Sequence, residues 1–380
     1  MRFADNRVKV ICELLDASTA TLRWSEVYSF ELEDIFEVQA KVAEQVAANI
    51  GFTTAESAPA MLAPTENSAA YIAYMKGKWN GIRWKPDIAE EYLREAIELD
   101  PDYARAYAEL AQLYYFRVDY YSLPAHVGIP IYVDLVNRAY ELAPDDPDVM
   151  AKAAMAFIQD NRHTESAAIK SRLVEGNYTE PDAYITLALI PAPTTEQISL
   201  LRRAIDLDPL NPWAHNTLAW HLLRAREYEE ALVQVSRAEE LELNPSIFYL
   251  KGEILRHLGR TSEAEDYYQR ALGIMEQRRK ASSFDVPSVL ANISYLRAML
   301  GHREEAMQLV RDLEALNAEQ HVGPTQMVIA YAGLKDVENT LAWLEAWYNA
   351  YGAWFPVSFI EEHPRFDFLR GEPAFNNLMD

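Results

Sequence analysis

A phrase of small and large apolar residues, Ala89-x-x-x-Leu93-x-x-Ala96-x-x-x-x-Pro101, returns along this chain at a near-constant interval. Related phrases end at Ala139/Pro144, Ala204/Pro209, Ala231/Ala238/Pro245 and Ala264/Ala271, with a weaker echo at Ala306. In each, the small residues sit where two helices must approach closely. The larger apolar residue fills the space between repeats, and proline closes the second helix. From Ala204 to Ala238 is 34 residues and from Ala238 to Ala271 is 33. A recurrence of that length predicts a stack of helix pairs in which each pair buries its apolar face against the next.

The stretch before each phrase agrees, because Tyr107, Leu110, Ala111 and Tyr114 fall at helical spacing and put large and small apolar residues on one face. Phe248, Gly252, Leu255 and Gly259 do the same ahead of Ala264, Tyr268 and Ala271. With these marks the chain resembles the tetratricopeptide repeat family. The resemblance implies a mainly α fold, a right-handed α-α superhelix, with Gly252 at a helix contact and Gly259 at a turn. Seven or eight units are expected between residues 68 and 352, those around Met150 to Pro209 being short and degenerate. The long intervals, Ala96 to Ala139 and Ala264 to Ala306, place insertions near Val118–Ala125 and Lys280–Asp285, expected as loops on one rim.

Residues 1–51 do not fit the repeat. Val8, Val10, Cys12 and Leu14 alternate with Lys9, Ile11 and Glu13, and Leu22, Trp24, Glu26 and Tyr28 alternate with Arg23, Ser25 and Val27, so two strands are expected about a turn at Asp16–Thr19. Leu32, Ile35, Val38, Val42, Val46 and Ile50 then form a helical stripe ended by Gly51. This strand-strand-helix segment resembles the end of a TolB-amino-terminal-like α/β domain, which precedes tetratricopeptide arrays in bacterial multidomain regulators. The upstream half of that domain would lie before Met1, so the start is expected to be truncated or the segment to be a remnant. A hairpin without its neighbours presents unpaired edges, and either a homodimer through Val8–Tyr28 or packing on the first repeat would cover them.

Residues 52–67 lack periodicity and read as a linker. Residues 353–380 resemble the tail that closes arrays of this family, so Phe359, Phe366, Leu369, Phe375 and Leu378 are expected to cap the last repeat.

A net charge of −23, from 35 basic and 58 acidic residues, argues against nucleic acid as a partner, since phosphate recognition needs clustered Lys and Arg. No apolar run reaches the length of a membrane span. The single cysteine, Cys12, excludes an internal disulfide framework and suggests a reducing compartment, though so few cysteines fit a periplasmic protein too; the amino terminus has no apolar run of signal-peptide length, so the expected setting is cytoplasmic, with Cys12 itself a buried inert thiol.

No catalytic or cofactor signature emerges. The eight histidines include no metal-hydrolase pair at helical spacing, and no glycine-rich phosphate loop occurs. Asp145-Asp146-Pro147-Asp148 reads as a helix start rather than a cation site, as do Asn211-Pro212 and Asn244-Pro245. Glu361-Glu362-His363 reads as a solvated helix end. The expectation is therefore a protein without enzymatic activity or cofactor.

What remains is the concave wall. Repeat register places Tyr71, Tyr74 and Lys78 on it in the first unit and Arg105, Gln112 and Tyr115 in the second. Later units contribute Trp213, Asn216 and Trp220, then Tyr249, Glu253 and Arg256, and lastly Tyr295. Rings supply contact area at small entropic cost and amides hold a backbone, so this wall suits a protein or peptide segment. The Lys and Asn set with which some tetratricopeptide domains clamp a carboxylate is not reproduced at Lys78 or Asn216. The expected function is a scaffold or sensor that binds a partner segment. The resemblance at residues 4–51 implies an alternative, a regulatory part of a signalling or transcription system whose effector module lies upstream or on another chain.

Overall fold

The protein is described from a computed structural model. It describes residues 2–4, 7–15, 22–31, 41–42, 45, 65–82, 85–120, 123–176, 178–242, 244–281, 286–319, 321–352 and 357–379. Two compact units divide the chain, residues 1–110 and residues 111–380.

The first unit opens with an antiparallel sheet of order β1 (Arg2–Ala4), β2 (Arg7–Leu15), β3 (Leu22–Glu31). Two strands were expected and the short third, β1, pairs with the start of β2. Val10 lies opposite Tyr28, Cys12 opposite Glu26 and Leu14 opposite Trp24, with an irregularity at Leu14/Leu15. Strand alternation holds, because Lys9, Ile11, Glu13, Arg23, Ser25 and Val27 are exposed while Val10, Cys12, Trp24 and Glu26 are half-buried and Tyr28 is buried. Cys12 is thus a half-buried free thiol rather than a buried one. The Asp16–Thr19 turn, most of the Leu32–Ile50 helix and residues 52–64 of the linker lie outside the described residues. Residues 41, 42 and 45 are helical.

Helices follow as pairs: α1 (Ser68–Ile82) with α2 (Pro86–Leu99), α3 (Ala104–Tyr120) with α4 (Ala125–Leu142), and α5 (Pro147–Gln159) with α6 (His163–Glu175). Next come α7 (Pro181–Ala188) with α8 (Thr194–Leu207), α9 (Pro212–Arg224) with α10 (Tyr228–Leu241), and α11 (Pro245–His257) with α12 (Thr261–Ala281). The last are α13 (Val286–Met299) with α14 (Arg303–Glu319) and α15 (Pro324–Leu334) with α16 (Val337–Tyr351). A tail follows, made of α17 (Val357–Glu362), a 3-10 helix (Pro364–Leu369) and α18 (Pro373–Met379). The fold class is that of an α-solenoid.

The alanines that define the repeat are its sealed contacts: Ala89, Ala96, Ala139, Ala204, Ala231, Ala238, Ala264, Ala271 and Ala306 are all buried. At Gly252 a Cβ would lie 2.5 Å from the Tyr268 ring, so only glycine lets α11 and α12 meet there. Gly259 turns between them at φ +74. Caps start the helices as the sequence implies. Asp146 accepts from the Asp148 and Val149 amides, Asn211 from Ala214 and Asn244 from Ser246, each ahead of a proline in the first helical turn.

The two long intervals depart from expectation. They lengthen helices instead of building only rim loops, with α12 running 21 residues to Ala281 and Val118 lying buried in the last turn of α3. Val118 and Ala125 join a core with Leu344, Trp347 and Tyr351 of α16 and with Phe366, Leu369 and Phe375 of the tail. The Tyr351 hydroxyl donates to the Val118 carbonyl at 2.7 Å, so within the second unit the early helices are fastened to the last pair.

Candidate functional site: the inner wall and its tail

The thirteen wall residues differ in depth. In the first unit Tyr74 is buried with its ring 5.1 Å from Tyr103, while Tyr71, Lys78 and Arg105 are half-buried. In the second, Gln112 is half-buried and the Tyr115 ring packs on Tyr132 of α4. Trp213 is 40% exposed with its edge against Phe116. Asn216, Glu253 and Tyr295 are buried, and only Trp220, Tyr249 and Arg256 remain partly open.

What the structure brings together is a ladder of rings from three successive pairs. Trp220 of α9 lies 5.8 Å from Tyr249 of α11, which meets Tyr295 of α13 edge-on at 5.3 Å. Each ring comes from the first helix of its pair, with Tyr249 one turn nearer its helix start than Trp220 is. Against it lies the chain's own tail. The Phe359 and His363 rings lie tilted against Trp220 at 6.4 and 5.4 Å, and the Arg365 guanidinium sits 5.2 Å from the Tyr249 ring centre and 4.6 Å from that of Tyr295. The tail therefore does two things: Ile360, Phe366, Leu369 and Phe375 cover the face of the last pair, and its other side lines the wall.

Glu361-Glu362-His363 is correspondingly not a solvated helix end, because His363 is fully buried and Glu362 is half-buried in an ion pair. Arg224 of α9, buried, donates to Glu362 Oε2 at 2.6 Å, to Thr194 Oγ1 at 3.1 Å and to Gln197 Oε1 at 3.2 Å. The Thr194 hydroxyl also donates to Glu362. Burial pulls the Arg224 guanidinium below its usual range, and Glu362 works against that shift. Nearby, Arg226 and Arg370 each donate to Asp367 at 2.7 Å. Burial tends to raise the Asp367 carboxyl, and the two guanidinium bonds outweigh it and hold the group low.

Two of the buried histidines, His221 and His363, are held neutral. Burial and then the Arg224 charge press His221 and His363 down to about 3. The bonds agree: His221 Nδ1 accepts from Arg224 at 3.2 Å, and His363 Nδ1 accepts from the Arg365 amide at 3.0 Å, capping the 3-10 helix. Beneath the ladder, Glu253 Oε1 accepts from the Tyr268 and Tyr295 hydroxyls at 2.7 and 2.8 Å, with Arg256 at 3.6 Å from its other oxygen. Burial, then the Glu253 charge, pushes both phenols well above their usual range.

Sequence reasoning named Trp220, Tyr249, Glu253, Arg256 and Tyr295 but missed Arg224, His221, Tyr268, Glu362, His363 and Arg365. The α9 residues carried a signal, for His221 and Arg224 lie one helical turn apart on the face that continues Gln197 and Thr194. Nothing local marks the tail residues. Among the described residues no cluster of His, Cys, Asp or Glu could hold a metal ion, and no helix is long and apolar enough to cross a membrane.

Residues 216–282, which hold much of the ladder, match the tetratricopeptide repeat family. No curated protein matches the chain. Among solved structures it is similar to the human IFIT1 dimer with PPP-AAAA at 14% identity, covering 88% of this chain and 81% of that one with a TM-score of 0.53. It is also similar to the Cut9-Hcn1 hetero-tetramer of APC/C, at 13% identity over 91% and 84% with a TM-score of 0.44. A third similarity is to the type IV pilus biogenesis factor PilW, at 17% identity over 53% and 91% with a TM-score of 0.39. Of these, the likeness to the IFIT1 dimer speaks to the fold alone.

Proposed function

From the premise of a tetratricopeptide-repeat α-solenoid, we propose that this chain is a non-enzymatic interaction scaffold that docks a segment of a partner protein on the inner wall of its second unit. One observation carries the reading: the ladder Trp220, Tyr249 and Tyr295 already holds polypeptide, in the form of the chain's own Phe359, His363 and Arg365. The wall grips it by tilted ring contacts, cation–π contact and charge-assisted hydrogen bonds, which are general means of recognising a peptide. Trp213, exposed beside the occupied stretch, is read as the continuation of that surface.

The test is capture from native cells with the wild-type protein and with Trp213→Ala, Trp220→Ala and Arg256→Ala variants, followed by cross-linking to locate the captured segment. Cross-links to α9, α11 and α13 that weaken in the variants, with helix content unchanged, are the expected result. Cross-links confined to the outer helices would refute it. The nature of the partner separates a free-standing scaffold from a regulatory part of a signalling system.

A homodimer through Val8–Tyr28 is a companion proposal, supported by β3 lying at the edge of its sheet among the described residues. Sedimentation with and without residues 1–51 decides it, since a monomer in both cases removes the idea.

A further inference from the structure

Around the ladder and the tail, one arginine stands apart from its neighbours. Arg224 pairs with Glu362, Arg226 and Arg370 share Asp367, and Arg256 faces Glu253. Among the described residues Arg365 has no ion-pair partner and its guanidinium has no hydrogen-bond acceptor. Its Nε is sealed from solvent and unbonded, while the residue as a whole remains partly open. The Tyr249 hydroxyl, at the end of a ring that the guanidinium covers, is likewise enclosed and unbonded.

Two such donors, one of them carried on a ring 5.2 Å from the other's guanidinium, are costly in a folded chain. A buried guanidinium without an acceptor loses hydration that two aromatic faces only partly replace, and an enclosed hydroxyl without a partner adds to the cost. Burial draws the guanidinium down to about 9, so it is still a cation near neutral pH. The chain carries 58 acidic side chains, yet among the described residues none pairs with this one. Ring contact places the cation; it does not neutralise it. An oxyanion would satisfy both donors, because the guanidinium fork offers two parallel N–H groups and the phenol a third donor.

We propose that Arg365 and Tyr249 form an oxyanion-binding site on the inner wall, made for the carboxylate or phosphate group of a small ligand. The site does not depend on partner docking, since its donors lie between tail and ladder and need only the anion. Unlike an anion site on a repeat helix, it is built half from the tail, so it exists only while the tail is seated.

The experiment uses the full chain and two probes, sodium acetate and inorganic phosphate, against sodium chloride at matched ionic strength. The readouts are the midpoint of thermal unfolding and the Nε–H resonance of Arg365, identified by its absence from Arg365→Lys. Acetate or phosphate should move both in a saturable way that chloride does not, and whichever does so names the ligand class. Losing a charge-assisted pair in Arg365→Gln should weaken the apparent affinity about tenfold or more. Tyr249→Phe, which keeps the ring and the fold, should weaken it about threefold, near the value of one neutral hydrogen bond. Equal effects of all three salts, or undiminished protection in Arg365→Gln, would overturn the proposal. Unchanged binding in Tyr249→Phe would remove the tyrosine from the site.

Discussion

Arg224 and Glu362 stand 138 positions apart in sequence and meet at 2.6 Å, where they tie the tail to the ninth helix. Arg224 is buried and Glu362 partly open, so the pair is asymmetric: the arginine depends on its partner more than the carboxylate does. Glu362→Gln leaves a buried cation without compensation and should destabilise the fold by about 3 kcal/mol. Arg224→Met removes the charge itself, keeps much of the volume and should cost less than Glu362→Gln. Chemical denaturation of the two variants checks that order.

Stability should fall on mild acidification because of the two neutral histidines. Their folded values lie near 3 against 6.5 when free, so below 6.5 the unfolded chain binds protons that the folded one refuses. The sign is therefore a loss of stability as pH falls from about 6.5 toward 3, with full stability above that window. His363→Gln should flatten the dependence of the melting midpoint on pH over this range. His221→Gln should do so independently, and a slope unchanged in the double variant would mean that other groups carry it.

Gly252→Ala should weaken the contact of α11 with α12, since the new methyl would meet the Tyr268 ring at 2.5 Å. Overpacking of this kind costs about 1–3 kcal/mol. It would also shift the Tyr268 hydroxyl from Glu253, and Tyr268→Phe alone should cost about 1 kcal/mol by leaving Glu253 one donor short. Urea unfolding of both variants tests the two figures.

Tyr351→Phe removes the bond to the Val118 carbonyl and nothing else of the ring's packing, so its expected cost is about 1–2 kcal/mol. Hydrogen exchange should show faster opening in α3 and α16 together. Faster exchange in only one of them would argue against their being fastened to each other.

Much of the array was legible because its marks are local. An alanine at a helix crossing, an asparagine before proline and a glycine at positive φ each act within a turn or two of their own position, so Ala204, Asn211 and Gly259 could be placed without coordinates. The wall was legible in part. Register puts Trp220, Tyr249 and Tyr295 on one face, yet it cannot say how deep each lies, and Tyr74, Glu253 and Tyr295 proved to be buried. The tail was the least legible. Glu362, His363 and Arg365 look like any polar helix end, and what makes them interior is contact with helices more than a hundred residues earlier. Long insertions misled for a related reason, because extra residues at Lys280 extend a helix as readily as they form a loop.

The bond between Tyr351 and Val118 bears on how the second unit comes apart. An array whose outermost repeats have no neighbour beyond them frays inward from its ends, and its stability grows as a sum of pairwise terms. Here the first and last members of the unit clasp one another, which leaves no loose end where melting could begin. Denaturation of this part of the molecule should accordingly proceed in one step, and trimming either extremity should unsettle the opposite one.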